Sequence, residues 1–391
     1  MSTIAADPFA GLRGVVRPDG RVGLRDRLVI LSTVALTDRW AELAADAVPD
    51  TCVIAPALPR GLRGEDVALA DRLLDGLALH PNTGAALLLT QDAPAARALR
   101  ARFGDAGRPV EVLALLEQDG MEAAVARARQ AARDLAAGLG HGWQEVGAQA
   151  LSLALECGGS DASSALAANP AIGRLVDLVL ARGGRAVVSE TVEFIGAEPA
   201  VAARCATPAL RDAILGAIAR REAWMTSDGV DYRGTNPTAE NIAGGLTTLI
   251  EKSLGAVVKT GQAPFAGNLG FAEPPAGPGL HFMDTPFFTP VSLTGMVAAG
   301  CNAVLFALGQ FNPSAHPLAP TLKICGNRET WARWASSMDV DLCDMLDKGL
   351  DREAAAHRIA GALVAASGGA PTAAERWGEG QTMPHRVTEL L

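Results

Sequence analysis

The run Leu151-Ser152-Leu153-Ala154-Leu155, continued by Glu156-Cys157-Gly158-Gly159-Ser160-Asp161, sets the architecture. The first five residues read as a buried strand, and the alanines and leucines after Ser160 read as a helix that stops at Asn169-Pro170. A strand passing through a glycine turn into a helix is the building unit of a parallel α/β sheet. The turn also brings together a thiol, two carboxylates and a hydroxyl. Gly158 and Gly159 let a backbone approach a ligand closely, and the N–H groups at the helix start favour an anion. The same residues serve a plainer purpose as a capped helix start, with Ser160 or Asp161 as N-cap and Cys157 as a small buried apolar side chain.

Outward from this turn the alternation recurs. Toward the amino end, Leu28–Val34, Cys52–Ala55, Ala85–Leu89 and Val110–Leu115 read as strands, separated or followed by helices over Thr37–Asp46, Gly64–Leu79, Ala93–Phe103 and Asp119–Ala137. Near-continuous apolar strands of this kind predict parallel sheets covered by helices on both faces. Toward the carboxyl end, Ala186–Ser189, Leu280–Met283, Ala303–Leu308 and Leu322–Cys325 read as strands and Pro208–Trp224 as a helix. A terminal helix runs from Asp351 through Ala366 into a polar tail. The glycine-rich, aperiodic segment Gly138–Gly147 divides the chain into an α/β domain over 1–145 and a second α/β domain over 146–391. At 391 residues and 49% hydrophobic, the chain is large enough to bury two cores.

Charge and cysteine usage narrow the partners. A formal charge of −9 argues against nucleic acid or an anionic membrane as partner, because both call for a basic face. No apolar span is long enough for a bilayer and Met1–Ala10 lacks a signal-peptide pattern, so a cytoplasmic protein is expected. The cysteines at 52, 157, 205, 301, 325 and 343 show no paired spacing, which predicts reduced thiols. No GxGxxG follows a strand of the first domain and no GxSxG elbow occurs, so neither a dinucleotide site nor a serine hydrolase is indicated.

Lysine is the informative cation. Only Lys252, Lys259, Lys323 and Lys348 occur against thirty arginines. Each lysine is therefore a candidate for work that needs a compact, titratable ammonium, although Lys348 before Gly349 reads as a helix C-terminal cation. Lys252 beside Glu251 also reads as an exposed, solvated pair. His316 and His80 read as loop and helix-end residues, respectively. In open α/β sheets ligands bind at the carboxyl ends of strands, where Glu156, Glu190, Asp284 and Gly309 all fall, so the cleft is expected in the second domain, facing the first. Carboxylates, lysines and glycines there suit removal of a proton next to a carboxylate and loss of a β-substituent. Lys252, Lys259, Lys323 and Glu190 are the catalytic candidates. Gly158, Gly159, Ser160, Asp161, Asn169, Asn236, Gly244, Gly245, Thr285 and Gln310 are the substrate-binding candidates. Cys157, Glu156 and Asp284 are the candidate ligands of a divalent metal.

Long motifs then bring a resemblance. LALECGGSDASS (153–164), ANPAIG (168–173), VVSETVEFIGAE (187–198), NPTAENIAGGLTTLIEKSLGAVVKTGQAP (236–264), GLHFMDTPFFTPVSLTGMVAAGCNAVLF (279–306) and APTLKI (319–324) resemble the altronate/galactarate dehydratase family, which includes the large subunit of sulfolactate sulfo-lyase. RPDGRVGLRD (17–26) and HPNTGAALL (80–88) resemble the same family, so the likeness covers nearly the whole chain. The resemblance implies a lyase that removes water or sulfite from a small 2-hydroxy or sugar acid to give a 2-keto acid, with ferrous iron as the divalent metal. It also implies a separate small β-rich subunit, since single-chain members begin with such a domain and this chain lacks it; a homo-oligomer is expected as well.

Three positions depart from the family pattern. Ala55–Gly61 stands where the family has an HGxGCG-like loop, and Leu89–Asp92 where it has a GLGCE-like stretch, so two cysteines are missing. Ala307-Leu308-Gly309-Gln310-Phe311 stands where the family has TTGRG, so Gln310 replaces an arginine suited to a carboxylate. Two further readings stay open beside the metal-dependent lyase. One is a non-catalytic or regulatory paralogue that keeps the fold and an anion pocket; the other is a metal-independent lyase or isomerase using lysine and carboxylate alone.

Overall fold

A computed structural model describes residues 7–391. The chain opens on two short strands, β1 (Arg13–Val16) and β2 (Val22–Gly23), and continues into β3 (Arg27–Ser32), β4 (Cys52–Ile54), β5 (Thr83–Thr90) and β6 (Val110–Ala114). The last four form a parallel sheet in the order β4-β3-β5-β6. Helices Asp38–Ala45, Glu65–Ala78, Ala93–Phe103 and Met121–Ala136 alternate with them or follow, as the sequence pattern predicted. Every residue of β5 is buried, which is why this strand reads as an unbroken apolar run.

The later part of the chain adds β7 (Trp143–Glu145), β8 (Ser152–Gly158), β9 (Arg185–Val188), β10 (Phe265–Leu269), β11 (Gly279–Met283), β12 (Ala303–Leu308), β13 (Thr321–Cys325) and β14 (Val340–Asp341). Strands β8 to β14 form one parallel sheet in the order β10-β11-β9-β8-β12-β13-β14. The chain turns to opposite sides of β8, with β9 on one flank and β12 on the other. The carboxyl end of β8 is thus the topological switch point, where such sheets open a crevice.

Three sequence readings are corrected. Gly138–Gly147 is not structureless: it contains β7, which pairs antiparallel with β1. Three mostly exposed residues carry no hydrophobic period, so the pattern could not show them. The helix after Ser160 does not stop at Asn169-Pro170. A π-helical turn over Ser164–Ala168 leads directly into the helix Asn169–Leu180, with Pro170 in its first turn, where a missing N–H is tolerated. The polar tail holds a further helix, Ala373–Trp377, and then hydrogen-bonds to the first part of the chain through Val387 N–H to Asp66 (2.7 Å) and Leu391 N–H to Gly61 O (3.0 Å).

The two parallel sheets share core. One buried cluster joins Leu31 and Leu88 of the smaller sheet to Met283 and Phe306 of the larger. Polar pins cross the same boundary. The Asn82 amide donates to Asn302 O and Leu318 O, both at 3.0 Å, and His80 Nε2 lies 3.1 Å from Cys301 O. His80 and His316 are buried, and burial drives His80 well below the ordinary histidine range and His316 down to about 3. Both act as neutral hydrogen-bonding groups at the helix end and in the loop where the sequence placed them, and their burial is the new fact. Among the described residues, no helix is long and apolar enough to cross a membrane.

Helices Glu65–Ala78 and Thr289–Ala298 pack so closely that Gly76 is required at the crossing. A Cβ there would sit 2.1 Å from Ala298 O. Helix propensity alone favours Gly76→Ala by about 1 kcal/mol. The close backbone approach predicts the opposite sign, a destabilisation of about 1–3 kcal/mol, to be read from urea unfolding; an unchanged or raised midpoint would refute this packing.

Candidate active site

The crevice at the switch point is built by local geometry that places charge on one side. After β9, Glu190 adopts a left-handed backbone (φ 62°) and leads into a 3-10 turn over Thr191–Phe194. Glu190, just before this turn, and Glu193, within it, line the same cavity. The helix Leu249–Val258, capped by Thr248, carries Lys252, and Lys259 follows as its C-cap. Seven residues are two helical turns, so both lysines lie on one face and point at that 3-10 turn.

The result is a buried bridge. Lys252 Nζ lies 3.6 Å from Glu193 Oε1, and Lys259 Nζ lies 3.5 Å from Glu193 Oε2. Lys252 also donates to Asn236 Oδ1 (2.6 Å) and Asn241 Oδ1 (3.2 Å), with its ammonium 4.8 Å from the centre of the Phe287 ring. Lys259 Nζ, Glu190 Oε1 and Glu193 Oε2 have no hydrogen-bond partner although all are buried. Three orphaned groups in one cluster indicate a site that is completed by something bound.

Burial sets the protonation of this cluster. It drives Glu190 well above the usual carboxyl range, helped by the neighbouring Glu156 and Glu193 charges. It also pushes Glu156 up to about 7, against the pull of Lys259. Glu156 is held by the Ser292 hydroxyl (2.5 Å) and the Cys157 N–H (3.0 Å). Burial works against the Lys259 charge, but Glu193, Cys157, Glu156 and Glu190 together hold its ammonium above the ordinary lysine range. Burial raises the Cys157 thiol as well, despite Lys259 nearby.

A cavity of about 300 Å³ opens onto the bridge, its lining including the charged Glu190, Glu193 and Lys252 and the apolar Phe287, Phe288 and Phe311. Cys157, Gly158, Gly159, Ser160 and Gln310 also line it. All its lining residues come from the second part of the chain and none from 1–145, so the cleft does not draw on the first sheet. Gly158 and Gly159 are required for close packing: a Cβ on Gly158 would meet Phe306 at 2.7 Å, and one on Gly159 would meet Gln310 O at 2.4 Å. Asn169 is buried behind the cavity, bonded to Gly255 O (3.1 Å) and Cys157 Sγ (3.8 Å). Asn236 orients Lys252, and Thr285 accepts from the Glu190 N–H (2.9 Å).

Other candidates lie elsewhere. Asp161 is the helix N-cap, accepting from Ser164 N–H (2.8 Å) and Asn327 Nδ2 (2.7 Å), and with Gly244 and Gly245 it lines an adjoining cavity of about 850 Å³. Lys323 is not brought to the bridge. It shares the sheet face of Glu156, but Phe306 stands between them in register, and its ammonium pairs with Glu379. Lys252 is not the solvated partner of Glu251, which bonds instead to Thr247 N–H (2.8 Å).

The candidate metal ligands do not converge. Glu156 and Cys157 are successive residues of a strand and point to opposite faces of the sheet. Asp284 turns away to Thr191 Oγ1 (2.6 Å) and Arg221 (3.5 Å). The loops that lack the two cysteines line a separate cavity at the end of the first sheet, where Arg60 donates to Gln91 Oε1 (2.6 Å). Among the described residues, no three His, Cys, Asp or Glu are grouped to hold a metal ion. The donor set therefore does not fit a resident ferrous ion.

Sequence reasoning missed Glu193, the centre of the site, and with it Asn241 and Ser292. The signal was present as an acid inside the apolar run Thr191-Val192-Glu193-Phe194-Ile195, three residues after Glu190.

A doubly flanked parallel sheet with a lysine–carboxylate cluster at its switch point defines an α/β protein with an acid–base site. Residues 148–389 match the family described as D-galactarate/altronate dehydratase, C-terminal, and residues 14–140 match the D-galactarate dehydratase/altronate hydrolase second domain. The chain belongs to the D-galactarate/altronate dehydratase family. It is 31% identical over 384 residues to the (2R)-sulfolactate sulfo-lyase subunit beta of Chromohalobacter salexigens, covering 97% of this chain and 98% of that one. It is 30% identical over 341 residues to the altronate dehydratase of Escherichia coli, covering 83% of this chain and 68% of the relative. The galactarate dehydratase (L-threo-forming) of the same organism is 30% identical over 194 residues, covering 50% of this chain and 37% of that protein.

Two stability measurements test this electrostatic picture. Removing the shared carboxylate in Glu193→Gln leaves two buried ammoniums facing each other and should cost about 3–5 kcal/mol. Glu190→Gln should do the reverse. The folded wild type retains a proton at Glu190 that the unfolded chain releases above its usual pKa near 4.5, so wild-type stability contains a contribution present at low pH and lost as pH rises. The variant lacks this loss, and its advantage should grow by about 1.4 kcal/mol per pH unit above that value until the folded group ionises. A pH-independent difference between the two proteins would show that Glu190 is not held neutral.

Proposed function

We propose that this chain is a cytoplasmic lyase that removes a β-substituent, water in the simplest case, from a small 2-hydroxy acid to give a 2-keto acid. The observation that carries the reading is the Glu193 carboxylate bridging Lys252 and Lys259 beside the buried Glu190. Relatives named as dehydratases and as a sulfo-lyase subunit support β-elimination from an acid.

The chemistry follows from which atoms reach the cavity. Lys252 takes the substrate carboxylate and stabilises the charge that develops on it when the C2 proton leaves. Glu193 lines the cavity, and its carboxylate removes that proton. Glu190, kept neutral by burial, gives its proton to the C3 hydroxyl, which departs as water. The electron pair from the C2–H bond becomes the C2–C3 double bond, and the enol then gains a proton at C3 and loses its C2 hydroxyl proton to give the 2-keto acid. Lys259 does not line the cavity; it is a positioning residue that holds Glu193. The three phenylalanines keep bulk water from the intermediate. None of these steps needs a resident metal, so activity is expected to survive exhaustive chelation.

We propose further that the chain works with a separate small β-rich polypeptide and as a homo-oligomer. The relative's designation as a subunit beta supports the first of these.

A panel of 2,3-dihydroxy acids, assayed for 2-keto acid with and without chelator, tests the reaction; no keto acid from any of them would refute it and favour a non-catalytic paralogue. The role of Glu190 has its own test. Glu190→Gln should lower kcat for hydroxyl elimination by about 100-fold or more, while 3-chlorolactate, whose chloride leaves without a proton, should be turned over at near wild-type rate. Equal losses on both substrates would remove Glu190 from the proton-donor role.

A further inference from the structure

The charge of the cavity limits what the site can bind, and this deepens the lyase reading on which it rests. The bridge holds two ammoniums and one shared carboxylate, so it presents a single positive charge that Glu193 does not already offset. Lys252 is the sole cation among the residues lining the cavity. The lining also includes Gln310, Asn312, Ser314 and Phe311, with Glu240 as a further charged residue. The Gln310 amide is committed to Glu240 O at 3.1 Å. Arg328 and Arg333 line the adjoining cavity and not this one, and Arg328 is already paired with Asp344 (3.1 Å) and Asp347 (2.6 Å).

We propose that the site selects hydroxy acids with one carboxylate and an uncharged far end, and discriminates against substrates carrying a second carboxylate, sulfonate or phosphate. Among the residues lining the cavity a second anion meets no cation besides Lys252; Lys323 lies behind Phe311, its ammonium 4.9 Å from the ring centre and already paired with Glu379. The second anion would give up its water to face a glutamine that is already bonded, a glutamate and aromatic rings. A neutral hydroxyl or methylene group fits the same lining, because Asn312 and Ser314 exchange hydrogen bonds with hydroxyls while Phe311 covers carbon.

Threonate and tartrate make the test: both are four-carbon 2,3-dihydroxy acids, and they differ at the far end by one carboxylate. Sulfolactate adds the sulfonate case. With the full-length protein, kcat/KM for threonate should exceed that for tartrate and for sulfolactate by about 100-fold or more. Threonate, and not tartrate, should raise the thermal unfolding midpoint. Gln310→Arg supplies the missing cation and should move the threonate-to-tartrate ratio toward tartrate by about tenfold or more. Tartrate or sulfolactate matching threonate in both turnover and thermal shift would overturn the proposal. So would a Gln310→Arg protein that folds and leaves the ratio unchanged. The binding arm separates this inference from the reaction itself: a threonate-selective thermal shift with no keto acid from any substrate sustains the selectivity and removes the lyase reading, whereas no shift with any of the three acids removes both.

Discussion

The site depends on one carboxylate placed between two buried ammoniums. Burying a charge in a protein interior costs several kcal/mol per ion, and here Glu193, Lys252 and Lys259 are all buried, with the two ammoniums 3.6 and 3.5 Å from the oxygens of Glu193. None of the three can be buried without the others. The alternation of signs makes the cluster tolerable, and its incompletely satisfied oxygens and ammonium give it an unmet demand for a partner. In the proposed reaction a substrate carboxylate with an adjacent acidic proton would meet that demand.

The architecture delivers this cluster by routes that belong to the fold rather than to the chemistry. The switch point at the end of β8 leaves a crevice between strands that run to opposite sides. The glycines at 158 and 159 admit Phe306 and Gln310 against the turn. A 3-10 turn carries Glu193 just after Glu190, and a helix aligns Lys252 with Lys259. Glu190, in a left-handed conformation unusual for a side chain of its size, is fixed there by its N–H to Thr285 and its carbonyl to Glu193 N–H (2.8 Å). A strained, buried carboxyl without a partner is what a proton donor requires. Its geometry is already set, and its neutral form is favoured before any substrate arrives.

Much of this was legible in the sequence, and the limits follow from physics. Buried strands such as β5 and β12 announced themselves because both faces are covered. The strand-end positions of Glu156, Glu190 and Asp284 followed from the general placement of sites in α/β sheets. Lys252 was harder to read, because an adjacent Glu251 imitates a surface pair and only tertiary packing shows which of the two is buried. Their spacing of seven would have placed Lys252 and Lys259 on one face. Glu193 hid inside an apolar run that reads as core, and Asp284 was assigned to a metal because periodicity shows where a strand ends but not where a side chain turns. The missing arginine at position 310 was visible from the start. Its meaning became physical once the cavity was seen to hold a single lysine.

The central claim is that the bridged Glu193 coexists with a neutral Glu190 in the same buried cluster. Infrared difference spectroscopy at a pH well above the value of about 7 to which Glu156 is pushed, so that Glu156 is ionised, comparing wild type with Glu190→Gln, measures this directly. The account predicts a protonated-carboxyl stretching band in the wild type that is lost in the variant. The absence of that band in the wild type, or its persistence in the variant, would contradict it.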